Sequence, residues 1–317
     1  MAIDLIDDGS RIPSNVVGTA VTIGVYDGVH RGHCRLLSEL REYAGQQGLA
    51  TAVVTFDQHP ARVTSPENAP KLLTSLEKKM ELFESQEIDF VYLVRFTKER
   101  SMTSASNFYS SVFVDGVKAK TIIVGEDFQF GHNREGNLDL LKLEGAKTGV
   151  EVIGMKLVEE TGTAISSTAI RNYLTTGDIR SATNMLGRFF EIEGTVVRGS
   201  QRGQQIGFPT ANIAISKEMI LPSDGVYACW YMRDDGHRHM AAANIGRRPT
   251  FLENNEESLL EVHLIGYEGN LYGERARVEF VDFLRNEIKF ENLDALRNQL
   301  EADITAAHSL LDNHEQC

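Results

Sequence analysis

Ala20-Val21-Thr22-Ile23-Gly24-Val25-Tyr26-Asp27-Gly28-Val29-His30-Arg31-Gly32-His33 reads as a strand, a glycine-bearing turn and the opening of a helix. Ala20 to Tyr26 is a continuous, β-branched apolar run, the pattern of a strand buried on both faces. The helix that starts near His33 carries Leu36, Leu37, Leu40 and Tyr43 or Ala44, an i, i+3, i+4, i+7 stripe. Working outward, similar runs recur at Thr51 to Phe56, Phe90 to Phe96, Thr121 to Val124 and Val150 to Leu157. Their starts fall about 30 to 40 residues apart, the length of a βαβ unit with its crossover helix. Residues 1–185 are therefore expected to form a doubly wound α/β, Rossmann-like domain. Its ligands belong beyond the carboxyl ends of the strands, where the quoted turn lies.

That turn has the chemistry of an anion site. Gly24, Gly28 and Gly32 let backbone approach a ligand, Asp27 sits among them, and the helix N-terminus offers unpaired N–H groups. His30 and His33, spaced i, i+3, can face one bound group and donate to phosphate oxygens whose charge grows in a transition state. A single histidine here would read as a helix cap. The His-x-Gly-His string after a first strand instead resembles the signature of adenylyl- and cytidylyltransferases. Later, Ile165-Ser166-Ser167-Thr168-Ala169-Ile170-Arg171 places good N-cap residues one turn before a guanidinium. Ser167, Thr168 and Arg171 are thus candidates for a second phosphate cradle. Thr55-Phe56-Asp57-Gln58-His59-Pro60 and Val124-Gly125-Glu126-Asp127-Phe128-Gln129-Phe130-Gly131 end two more strands on the same edge. Asp127 is a candidate there, whereas His59 alone reads better as structural.

From Phe190 the style changes. Glu191 to Val197, Gly225 to Trp230, Leu259 to Tyr267 and Ala276 to Phe283 alternate with period 2 between turn residues, as in an antiparallel barrel or sandwich. Leu293 to Leu311 reads as a closing helix, and the domain boundary is expected at Leu186-Gly187-Arg188. Within Gly203-Gln204-Gln205-Ile206-Gly207-Phe208-Pro209-Thr210-Ala211-Asn212-Ile213, an extended chain would put Thr210 and Asn212 on one face, about 7 Å apart. A hydroxyl and an amide oxygen are hard ligands that suit Mg²⁺ together with waters and phosphate oxygens. In Leu259-Leu260-Glu261-Val262-His263-Leu264 the alternation sets Glu261 and His263 on one face. Glu261, aimed into the barrel mouth, could take the proton of an attacking hydroxyl. Taken alone, that string and the charge run from Arg275 to Glu287 are ordinary solvated surface.

The chain has 317 residues, and 32 Lys plus Arg against 45 Asp plus Glu give a net charge of −13. Bulk attraction to nucleic acid or anionic membrane is therefore not expected. Cys34, Cys229 and Cys317 are isolated, which suits a reducing compartment and neither a zinc site nor a disulfide framework. The N-terminal run lacks a basic segment followed by an apolar one, and no stretch approaches 18 apolar residues. A cytoplasmic location is expected, and a weak homo-oligomer is compatible with the sequence.

Together the motifs resemble the prokaryotic bifunctional riboflavin kinase and FAD synthetase family, from about Val16 to the final helix. Beyond the strings above, the resemblance includes Leu186-Gly187-Arg188, Gly225-Val226-Tyr227, Ala243 to Phe251, Leu271-Tyr272-Gly273 and Leu284 to Phe290. It implies an N-terminal domain, 1–185, that transfers AMP from ATP to FMN and releases pyrophosphate. It implies a C-terminal β-barrel kinase domain with a terminal helix, 186–317, that moves the γ-phosphoryl of ATP to riboflavin. His30, His33, Ser167, Thr168 and Arg171 would hold the adenylating ATP, with Asp127 in a motif that positions nucleotide and flavin. Gly207, Pro209, Thr210 and Asn212 would bind ATP and Mg²⁺ in the kinase, and Glu261 would be its base. A single-activity enzyme, or a flavin-binding regulator without turnover, is the alternative; a pure binder has no need of a base beside a metal site. Three positions depart from the family pattern. Gln58 stands where a proline is usual, and Gln204 and Ala169 stand where arginines are usual. Gln204 is expected to weaken nucleotide binding in the kinase without abolishing it.

Overall fold

The computed structural model describes residues 3–156, 159–160, 163–199, 203, 206–247 and 258–315. Leu157, Arg202, Gln204, residues 248–251 and Cys317 lie outside that set. Contacts divide the chain into two compact units, Met1–Ser166 and Ser167–Cys317. Among the described residues no helix is long and apolar enough to cross a membrane.

In the first unit, β1 (Asp4–Asp7), β2 (Thr19–Ile23), β3 (Ala50–Phe56), β4 (Phe90–Val94), β5 (Ala119–Gly125) and β6 (Glu151–Met155) form one sheet. Their order is β1-β4-β3-β2-β5-β6, and every pairing is parallel. Both faces are covered. Val21, Ile23, Val54, Tyr92, Val94, Ile122 and Val124 pack toward Phe108 and Phe113. Their neighbours Ala20, Val53, Val91 and Ile123 pack toward Leu37, Leu40 and Phe83. Leu37 and Leu40 come from α1 (Arg31–Gln47) and Phe83 from α2 (Leu76–Ser85). Such double burial explains strands without alternation.

Two differences from the sequence reading are instructive. The edge strand β1, mostly exposed Asp-Leu-Ile-Asp, joins β4 through its backbone and needs no apolar face. The second strand stops at Ile23, not Tyr26, because the chain turns sharply at Gly24 to Val29. Ala105–Phe108 runs on into a π-helical stretch, Tyr109–Gly116, that buries Tyr109, Val112 and Phe113 against the sheet.

The second unit begins with α3 (Ser167–Thr175) and α4 (Ile179–Leu186). It continues as β7 (Phe190–Val197), β8 (Ala211–Ala214), β9 (Gly225–Met232), β10 (Arg238–Arg247), β11 (Ser258–Leu264) and β12 (Arg275–Arg285). These close into an antiparallel barrel in the order β8-β11-β10-β9-β12-β7. A barrel, not a sandwich, is formed, and closure leaves no open sheet edge. The two helices belong here by contact: Ser223 N–H donates to the Leu174 carbonyl, and Arg180 pairs with Asp282 of β12.

Ile192, Ile213, Tyr227, Cys229, Ala243, Leu260, Val262, Val278 and Phe280 are buried along the inward-facing positions of these strands. The closing helix α5 (Leu293–Glu315) roofs part of the outer wall, packing Ala307 and Leu311 on Ala228, Trp230 and Val281. Arg285 grips the buried Asp303 of that helix through two bonds, Nε to Oδ1 at 2.8 Å and Nη2 to Oδ2 at 2.6 Å. The unexpected strand β10 carries Ala241-Ala242-Ala243, too uniform for a period-2 signal, because the barrel core lies on one side and the roof on the other.

Candidate functional sites

The first site lies where the strand order reverses. The chain runs β2, β3, β4 to one side and β5, β6 to the other, so the crevice opens beyond the carboxyl ends of β2 and β5. Beyond β2 the backbone is strained. Tyr26, Gly28 and Val29 have φ of 51°, 85° and 37°, and a β-branched residue at positive φ is a genuine outlier. Gly24 is needed because a Cβ would press on the Tyr26 ring at 3.1 Å.

Several bonds hold this turn. The Asp27 carboxylate, buried at 3% exposure, accepts N–H bonds from Leu73 (2.9 Å) and Thr74 (3.2 Å). The Thr74 hydroxyl accepts from Gly28 N–H at 3.1 Å, and the Lys79 ammonium donates to the Val25 carbonyl at 2.9 Å. Tyr26 and Thr22 share a hydroxyl bond at 2.7 Å.

The turn delivers the two histidines together. The His30 and His33 rings stack with centroids 3.6 Å apart and planes 13° from parallel. His30 caps α1, its Nδ1 accepting the His33 N–H at 3.3 Å. A neutral His30 ring with Nδ1 as acceptor carries its proton on Nε2. Gly32 makes room for this ring, since a Cβ there would lie 3.2 Å from His30 Nδ1 and 3.7 Å from the Ile165 carbonyl. The start of the second phosphate motif thus stands beside His-x-Gly-His. Ser167, Thr168 and Arg171 follow on α3, in the second unit, Ser167 opening the helix.

Beyond β5, Asp127 is exposed and folds back over Gly125, where a Cβ would meet its Oδ1 at 2.8 Å. Phe128 and Phe130 stack parallel at 5.5 Å. Beyond β3, Gln58 donates its amide to the Phe96 carbonyl at 3.0 Å and so ties the ends of β3 and β4. His59 Nδ1 accepts the Ala61 N–H at 3.1 Å.

The second site lies on the barrel's outer wall. Asn212, buried at 6% exposure, stands directly opposite Glu261 across β8 and β11, and Glu261 stands opposite Asn244 of β10. These three and His263 share the face that carries Ala242 toward α5, while Leu260 and Val262 fill the interior. The expectation that Glu261 points into the barrel mouth is corrected accordingly.

The loop ahead of β8 is built around its glycines. Gly203 accepts the Phe208 N–H at 2.8 Å, and a Cβ on it would collide with the Phe208 carbonyl and lie 3.6 Å from Thr210 Oγ1. Gly207 has φ of 90°. The Asn212 amide fills the space where Gly199 would carry a Cβ. His263 Nδ1 bonds the Pro209 carbonyl at 2.8 Å, and its ring meets Phe208 edge-on at 5.9 Å. From α5, Arg297 Nη2 donates to the Ile206 carbonyl at 3.4 Å. Asn212 thus faces Glu261 across the strand pair, His263 two positions on holds Pro209, and Arg297 holds the loop at Ile206.

Thr74, Lys79 and Arg297 were not singled out by sequence reading. The only local signal was Ser75, a good N-cap that accepts the Lys78 N–H and sets Lys79 in the first turn of α2.

Comparison with known proteins fits both geometries. The FAD synthetase family model matches residues 12–169, and the riboflavin kinase model matches residues 186–311. A Haemophilus influenzae bifunctional riboflavin kinase/FMN adenylyltransferase is 36% identical over 93% of this chain and 95% of its own length. The chain belongs to the bifunctional riboflavin kinase/FMN adenylyltransferase family. A Pseudomonas fluorescens member is 38% identical over 92% of this chain and 93% of its own. A Streptococcus pneumoniae crystal structure named macrolide-efflux protein shares the fold, with a TM-score of 0.86 and 28% identity over 96% of this chain and 99% of that one. The family's order, adenylyltransferase then kinase, is the order of the two sites described above.

Proposed function

We propose that His30, His33 and Glu261 carry the two reactions of this bifunctional enzyme. The chain phosphorylates riboflavin to FMN in its second domain, 186–317, and adenylates FMN to FAD in its first, 1–185, using ATP in both. Two arrangements, one in each unit, carry the reading. A stacked imidazole pair stands at a helix N-terminus beyond a parallel sheet, and a carboxylate stands opposite a buried amide beside a glycine-built loop.

In adenylylation, an FMN phosphate oxygen attacks the α-phosphorus of ATP and the bond to pyrophosphate breaks. His30, through Nε2–H, and His33 stabilise the charge that builds on the phosphoryl oxygens. The α1 N–H groups and Gly24, Gly28 and Gly32 admit the phosphates closely. Asp27 shapes the turn through the backbone of residues 73–74, and Asp127 positions nucleotide and flavin. Ser167, Thr168 and Arg171 keep the phosphate-binding role implied by the motif.

In the kinase, Glu261 takes the proton of the ribityl 5′-hydroxyl as that oxygen attacks the γ-phosphorus and ADP departs. Gly207 and Pro209 bring backbone to the ATP phosphates. Thr210 and Asn212 offer the hard oxygen donors that suit Mg²⁺, with water and phosphate completing its shell. When bound, Mg²⁺ would neutralise phosphate charge there. Among the described residues no group of three or more His, Cys, Asp or Glu gathers as an alternative metal site. Use of ATP in both steps supports a cytoplasmic location, and the net charge of −13 weighs against nucleic-acid or membrane partners.

The test is substitution. His33→Ala should abolish FAD formation and leave FMN formation; Glu261→Ala should stop FMN formation while FAD still forms from supplied FMN. Both activities surviving both changes would refute the assignment.

A further inference from the structure

We propose that Lys79 and Thr74 are positioning residues for adenylylation, holding the Val25–Val29 turn in the left-handed conformation that aligns His30 and His33. The inference rests on the reading of those histidines given above.

The turn demands such a device. Tyr26 and Val29 both sit at positive φ, which their side chains disfavour, and such backbone persists only where its surroundings over-determine it. Tertiary bonds from one distant segment do so here. Thr74 Oγ1 accepts the Gly28 N–H and Thr74 N–H donates to Asp27, while Lys79 Nζ fixes the Val25 carbonyl. Thr55 Oγ1 also reaches that carbonyl, at 3.3 Å.

Lys79 is an uncommon residue for such a place. Its side chain is buried at 7% exposure, and a buried lysine is costly unless compensated. Asp27 and Asp57 are the charges that act on it, and burial still pushes its ammonium down to about 8. A cation kept at that cost, bonded to the strained turn that leads into the two imidazoles, is best explained by what the turn positions. α1 starts two residues after Val29, so a change of φ at Val29 rotates His30 and the helix N-terminus together.

The histidines act on charge that develops in the transition state, so loss of alignment should lower kcat by much more than it raises KM. The experiment measures FAD formation from FMN and ATP by full-length Lys79→Met, Thr74→Val, Thr74→Ser and His33→Ala, with FMN formation from riboflavin as an internal control. Thr74→Val keeps shape and removes the hydroxyl; Thr74→Ser restores it. The expected result is a kcat at least tenfold lower for Lys79→Met and Thr74→Val, KM for ATP within about twofold of wild type, and recovery in Thr74→Ser. ATP binding to each variant, measured by calorimetry, separates misalignment from an unfolded first unit. Wild-type kcat in both Lys79→Met and Thr74→Val, with His33→Ala inactive, would overturn the positioning role and leave the histidine assignment standing. An active His33→Ala would overturn both.

Discussion

Asn212 and Glu261 face each other in register across an antiparallel strand pair, and the Asn212 amide occupies the space a side chain at Gly199 would take. The carboxylate proposed as base and the amide are thus set by sheet register, and the amide's position by the absence of one methyl group. Glu261→Gln removes the proton acceptor at constant shape and should lower FMN formation by roughly 10²–10⁴-fold. Gly199→Ala should also weaken the kinase, since the new methyl meets the Asn212 amide directly, while Gly199 has no positive φ that would strain alanine. Steady-state assays with riboflavin check both. Full kinase activity in Gly199→Ala would show that the amide is not needed where it sits.

The grip of Arg285 on Asp303 should be a stability determinant of the second unit. Asp303 is 5% exposed, and Gln299 Nε2 adds a bond at 2.9 Å. Arg285→Met leaves the carboxylate buried without its cation and should cost about 3 kcal/mol, whereas Arg285→Met with Asp303→Leu should recover most of it. Chemical denaturation of single and double variants measures this; equal losses would contradict it.

Much of this architecture could be read from the chain, for reasons that also explain the gaps. Strands β2 to β5 declared themselves because burial on both faces leaves continuous apolar runs, and His30 and His33 because a strand, glycines and a helix start surround them. β1 was silent because an edge strand pairs by backbone alone. Period 2 showed that Glu261 and His263 share a face but not which face is outward, since α5 covers part of the outer wall and buries both sides of β9. The left-handed Tyr26 and Val29, and the bond of Lys79 to the neighbouring Val25, were invisible because the bonded partners lie 54 positions apart and are joined only by the fold.

Lys79 gives the first unit a measurable pH signature. Folding lowers its value from 10.5 to about 8, so the folded state holds this proton less tightly than the unfolded one. The group opposes folding below about pH 8, and the opposition fades as pH rises toward 10.5. The full shift corresponds to roughly 3 kcal/mol. Denaturation of wild type and Lys79→Met at pH 7 and pH 10 should show their difference moving in favour of wild type by most of that amount. A difference independent of pH would contradict it.

Gln204 stands where the sequence resemblance leads us to expect arginine, a cation suited to phosphate. Gln204→Arg should lower the KM for ATP in FMN formation and leave FAD formation unchanged. Titration of ATP against both proteins checks this, and an unchanged KM would remove any role for that position.

The central claim is that one chain performs both steps in sequence. Purified protein incubated with riboflavin, ATP and Mg²⁺, with flavins separated by chromatography over time, tests it most directly. FMN should rise first and then give way to FAD. Failure to form FMN from riboflavin, or failure to form FAD from supplied FMN, would contradict the account.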